Sequence, residues 1–181
     1  MDKKYRYLGY FLLLLIPLIF AGFYKTYFQS FPNFEEDIDA YIHIHAAIAT
    51  LWVVILIIQP FLIVNKKTSL HKKVGRLTYF IFPLLILSFV PRIIRTYNLG
   101  EYPNLFFSLA DGSLLILFYS LAIYNKKKTA KHMGYMIASA LVLLGPTVGR
   151  IGPILLGWGD VLTQNVQYGI ISSILISLVL Y

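Results

Sequence analysis

A chain of 181 residues that is 58% hydrophobic, 13% charged and free of cysteine, with a mean hydropathy of +0.70, is too apolar for a soluble domain, where about half of the residues are apolar and about a quarter charged. The missing cysteine excludes disulfides, thiolate metal sites and cysteine nucleophiles. The formal charge of +8 is not the mark of a nucleic-acid binder, because it does not gather on one soluble face. Twelve of the sixteen Lys and Arg residues fall in three short clusters, at Lys3, Lys4 and Arg6, at Lys66, Lys67, Lys72, Lys73 and Arg76, and at Lys126, Lys127, Lys128 and Lys131, with hydrophobic runs between them.

A membrane core of about 30 Å needs about 20 apolar residues per helix. The hydropathy predicts six such spans, near 8–24, 40–64, 74–96, 104–124, 132–152 and 161–181, in one all-α polytopic membrane domain covering 1–181. The first run has the basic start of a signal peptide but no small-residue cleavage site, so it is expected to be retained. Acidic residues Glu35, Glu36, Asp37 and Asp39 precede the second span, which carries His43, His45, Trp52 and Gln59. The third span ends with Arg92 and Arg95, the fourth holds Asp111, and the fifth runs through "ASALVLLGPTVGRIG" to Arg150. The small residues of that stretch predict close packing of the fifth helix. Pro17, Pro60, Pro83, Pro91 and Pro146 lie inside spans, and each removes a backbone donor.

The positive-inside rule places the lysine loops and both termini in the cytoplasm of a bacterial inner membrane, against anionic lipid headgroups. The two lysine loops echo one another. "IVNKKTSLHKKVGRL" and "IYNKKKTAKHMGYMI" each run from a helix end through Asn and lysines to a His at the next helix start. A duplicated helical hairpin and two turns under the same constraints explain this equally well. Ser69 and Thr129 are candidate caps for the helices that carry His71 and His132.

In a helix, positions 43 and 45 fall on nearly opposite faces, so His43 and His45 do not chelate together. His45, Trp52 and Gln59, seven residues apart, form one stripe. Polar groups in a span usually face the protein interior, so this stripe is either a hydrogen-bonded packing seam or the wall of a pocket. Asp111, about 10 Å deep, calls for a partner, Arg150 first and Arg92 second. His45, Trp52, Arg92, Asp111 and Arg150, with Tyr97 and Gln164 at the edge, would then line an outward-facing polar pocket. The arginines oppose a dication, so no metal is expected. The pocket suits a small anionic or amphipathic ligand, or a proton relay. One alternative is electron transfer by haem b on His71 and His132. Another is a structural subunit of a membrane complex.

"HIHAAIATLWVVILIIQPFLI", "LHKKVGRLTY" and "KHMGYMIASALVLLGPTVGRIG" together resemble an uncharacterised group of bacterial multi-pass membrane proteins, a domain of unknown function. The matching positions are His45, Gln59, His71, Gly75, Arg76, Tyr79, His132, Met136 and Arg150, within roughly residues 40–152. Met133 and Gly134 stand where a basic pair would follow the second lysine-loop histidine. The resemblance implies a helical inner-membrane protein and carries no activity with it.

Overall fold

The structure, a computed structural model, describes residues 6–34 and 38–180. Lys3 and Lys4 of the first basic cluster, Glu35, Glu36 and Asp37 of the acidic loop, and residue 181 at the end of the sixth span lie outside the described residues. The chain is all-α, with no strand among the described residues. The helices are α1 (Leu8–Leu13), α2 (Leu15–Phe23), α3 (Ala40–Val64), α4 (Thr68–Leu87), α5 (Val90–Asn98), α6 (Tyr102–Tyr124), α7 (Thr129–Val142), α8 (Leu144–Arg150) and α9 (Asp160–Leu180), with a π-helical turn at Ile151–Leu155 between the last two. Four helical stretches, Ala40–Val64, Thr68–Asn98, Tyr102–Tyr124 and Thr129–Leu155, are long and apolar enough to cross a membrane, and Leu8–Phe23 is a shorter apolar one. Large apolar side chains such as Phe80 (74% exposed) and Phe106 (66% exposed) face outward, as lipid contact requires.

Proline explains where the predicted spans are interrupted. Pro17, Pro91 and Pro146 cannot donate to the carbonyls four residues earlier, which are Leu13, Leu87 and Val142. These three residues are where α1, α4 and α7 end. Pro60 and Pro83 lack the same donor, yet α3 and α4 run through them unbroken. The expected caps are corrected. α4 starts at Thr68 after Lys67, which caps with no side chain, and Ser69 lies inside the helix. Thr129 is the first residue of α7 rather than its cap.

The chain divides into two compact units. The first holds the described residues up to Leu13 together with Ile38–Ser139, and the second holds those of 14–34 and from Ala140 onward. In the first unit, α3 and α4 form an antiparallel hairpin closed by the turn at Asn65–Lys67, where Lys66 takes a positive φ of 58°. Trp52, Leu56, Phe82, Leu85, Leu115, Tyr119, Ala122 and Ile137 form its core. Gly9 lets α1 lie directly on Phe61, since a Cβ there would stand 2.8 Å from that ring.

In the second unit, α2 lies against α8. A Cβ on Gly22 would come within 2.9 Å of the Thr147 carbonyl oxygen. The Arg150 guanidinium sits 4.4 Å from the centre of the Phe23 ring and donates to the Pro146 carbonyl at 2.6 Å. Lys25 Nζ donates to the Ile154 carbonyl at 3.3 Å.

Candidate functional site

The α3 stripe predicted from the sequence is present, and all of it faces α4. At one end of the hairpin, His45 Nδ1 lies 2.8 Å from Ser88 Oγ. The Ser88 hydroxyl donates its proton to the Leu85 carbonyl at 2.6 Å, so its oxygen accepts and His45 donates from Nδ1. Ser88 is available for this because Pro91 ends α4 one residue before it. The Phe89 ring meets His45 edge-on at 4.8 Å. Since α3 begins at Ala40, the helix runs through both His43 and His45, which therefore point to different sides.

Seven residues further along, Trp52 is fully enclosed. Its ring centre is 5.2 Å from Phe82 and 5.5 Å from Tyr119, and Phe82 and Tyr119 stack at 4.0 Å. Trp52 Nε1 has no acceptor. Tyr119 Oη is 2.8 Å from Thr78 Oγ1, whose own proton goes to the Gly75 carbonyl at 2.6 Å, so the tyrosine is the donor. Thr78→Val would strand that buried phenol at a cost of about 1–3 kcal/mol. Adding Tyr119→Phe removes the stranded group, so the double variant is expected to be more stable than Thr78→Val alone. Unfolding titrations of the three variants measure this, and strictly additive losses would refute the bond.

At the lysine-rich end, Gln59 Nε2 donates to the His71 backbone carbonyl at 3.3 Å. That amide passes beside Gly75, at an ordinary contact distance of 3.5 Å from where a Cβ would stand. Gln59 Oε1 and His71 Nδ1 are both buried without a partner. His132, in the first turn of α7, donates from Nδ1 to the Ala122 carbonyl at 2.8 Å.

The other expected site residues lie on other elements. Asp111 is half-buried midway along α6, Arg92 is exposed at the start of α5, and Arg150 is half-buried in the second unit. Tyr97 and Gln164 are exposed. Arg95 forms an exposed ion pair with Asp39 beside a groove of about 560 Å³ walled by Tyr41, Val90, Ile94 and Leu99. Among the described residues no three His, Asp or Glu side chains come together to hold a metal ion.

Sequence reasoning did not single out Ser88, Thr78 or Tyr119. The α4 side of the seam does have a readable signal. His71, Gly75, Thr78, Phe82, Leu85 and Phe89 recur at alternating steps of four and three, the spacing of a helix seam packed on another helix. No family model matches this chain, and no match is found among curated proteins or solved structures.

Proposed function

We propose that this chain is an integral protein of a bacterial inner membrane, like the multi-pass group it resembles, with its lysine loops and both termini in the cytoplasm by the positive-inside rule, and that it binds a small amphipathic ligand with an anionic or hydrogen-bond-accepting head. The observation that carries this reading is Trp52. Its indole N–H is enclosed among Phe82 and Tyr119 and has no acceptor. An unpaired donor in a low-dielectric interior costs about 1–3 kcal/mol, and a guest that brings an acceptor recovers that cost. The aromatic faces suit the apolar body of such a guest.

His45, next along the stripe toward the outer end, holds its Nδ1 on Ser88. Arg92 and Asp111 belong to this proposal by their charge and their depth in the sequence, arginine being suited to an anionic head. A proton relay through the seam is less well supported. The Tyr119–Thr78 and His45–Ser88 chains both end on backbone carbonyls, Gly75 and Leu85, which take a hydrogen bond but do not pass a proton on.

Hexanoate serves as a probe. It is expected to raise the melting temperature of the detergent-purified wild type in a saturable way and to leave Trp52→Phe unmoved. Equal stabilisation of both proteins, or of neither, would refute the site. Orientation is tested separately with reporter fusions. Those in the turns at 65–67 and 125–128 should read cytoplasmic, and one at 98–101 should read external; the reverse pattern would invert the topology.

A further inference from the structure

The two lysine turns of the first unit are held by like bonds. Asn65 and Asn125 close the helices before them by donating from Nδ2 to the carbonyls of Phe61 and Leu121, each at 2.8 Å. The second turn is also tied to the helix that follows the first. Lys126 donates from Nζ to Tyr79 Oη on α4 at 3.3 Å, with its ammonium 5.8 Å from the centre of that ring. Lys72, Arg76 and Tyr79 follow one another at steps of four and three, so they share a face of α4. Lys126 is therefore laid against the basic face of α4, one turn from Arg76. Lys73 stands beside that face, and Lys72, Lys73, Arg76 and Lys126 are all exposed. Neither turn supplies an acid, since none lies between Asp39 and Glu101 or between Asp111 and Asp160. Like charges four apart on a helix, as Lys72 and Arg76 are, cost stability, and Lys126 adds to that repulsion. An anion seated among them reverses its sign.

The rest of the face decides which anion fits. Leu77, Phe80, Leu84 and Leu87 continue it along α4 and are all exposed, on the side away from the seam with α3. From Leu77 to Leu87 the helix rises about 15 Å, half of a hydrocarbon core of about 30 Å and so the depth of one leaflet. Long basic side chains lie along such apolar surface and hold their charged ends at the level of the headgroups. A free phosphate would use the cations and leave the apolar stripe uncovered, whereas a lipid uses both. Lys72, Lys73, Arg76 and Lys126 together exceed the charge of one phosphodiester and suit a headgroup that carries two. We propose that this face of α4, completed by Lys126, binds one anionic lipid of the diphosphatidylglycerol class, with its phosphates among these four cations and an acyl chain along the stripe from Leu77 to Leu87. The inference rests on the membrane reading of the chain and uses nothing of the Trp52 site.

The experiment uses the full chain, purified in mild detergent and stripped of lipid, with native mass spectrometry and melting curves. The probes are tetraoleoyl diphosphatidylglycerol, dioleoyl phosphatidylglycerol and inorganic pyrophosphate. The expected result is one diphosphatidylglycerol adduct per chain and a saturable rise in melting temperature. Phosphatidylglycerol, with one charge fewer, should bind about fivefold more weakly, and pyrophosphate should give no stabilisation. Arg76→Gln combined with Lys126→Gln should weaken the adduct by about thirtyfold, the effect of two charges at the site. Lys66→Gln combined with Lys67→Gln removes the same charge from the same end of the protein but not from this face, and should leave the adduct nearly unchanged. The hexanoate response at Trp52 is expected in both double variants, so failure of either reading is seen separately from failure of the other. The proposal is overturned if diphosphatidylglycerol gives no adduct, or if both double variants weaken it equally, which is the mark of a diffuse surface field. It is equally overturned if phosphatidylglycerol binds as tightly, or if pyrophosphate stabilises as well as the lipid does. A lipid-free wild type that runs as a dimer, and as a monomer in Leu84→Ser, would assign the face to a second copy of this chain and also overturn it.

Discussion

Trp52→Ala is expected to destabilise the folded first unit by about 3–5 kcal/mol, while Trp52→Phe is expected to cost little or to stabilise it in the absence of ligand. The two substitutions separate what the ring does from what its N–H does. The ring is fully enclosed, between Phe82 at 5.2 Å and Tyr119 at 5.5 Å, so removing it leaves a void lined by α3, α4 and α6. Lipid is as apolar as the core, so the loss is one of packing between helices rather than of water exclusion. The N–H is unpaired. Phenylalanine therefore gives up only part of the ring volume and at the same time removes a buried donor that nothing satisfies. Unfolding of the purified protein in a denaturing detergent series measures both. A loss for Trp52→Phe as large as that for Trp52→Ala would mean that the indole N–H is satisfied, and the argument for a guest at Trp52 would lose its basis.

The readable part of this molecule is its periodicity, and the unreadable part is what the helices do to one another. His45, Trp52 and Gln59 at seven-residue steps identify the face of α3 that packs on α4, and the four-and-three rhythm from His71 to Phe89 identifies the matching face of α4. The second rhythm is easily passed over because its letters are His, Gly and Thr as well as Phe and Leu, so hydrophobicity alone does not outline it. The prolines show a similar limit. Each of the five could interrupt its helix, but only Pro17, Pro91 and Pro146 coincide with a helix end four residues earlier, while α3 and α4 continue through Pro60 and Pro83. A missing donor is a local fact. Whether the freed carbonyl breaks the helix depends on the packing around it, which the sequence does not state.

The same division holds for charge and for polar pairs. The clustering of lysines is legible from the chain alone, and so is the echo between the two turns, down to the asparagines that close both helices. The ion pair of Asp39 with Arg95 joins residues that are far apart in the chain. Nothing in either neighbourhood selects Arg95 over Arg92 as the partner of Asp39. His45 was recognised as polar and inward-facing, but its partner Ser88 becomes available only through the break upstream of Pro91.

Gly22→Ala is expected to lower the stability of the second unit by about 1–3 kcal/mol, although alanine is ordinarily the better helix former by about 1 kcal/mol. The added Cβ would stand 2.9 Å from the Thr147 carbonyl oxygen and 3.0 Å from its Cα. These are backbone atoms of α8, and they cannot rotate aside as a side chain would. Relief requires α2 to lift off α8, which weakens the stacking of Arg150 on Phe23 and the bond from Lys25 to Ile154. Gly169 on α9 is the internal comparison, since a Cβ there meets nothing within 4 Å. Gly169→Ala should therefore keep the helix-propensity gain and melt at or slightly above the wild type. The two effects have opposite signs, so paired melting curves in one detergent decide the matter without reference to an absolute scale. If Gly22→Ala melts as high as Gly169→Ala, the close approach of α2 to Thr147 is not a feature of the folded protein.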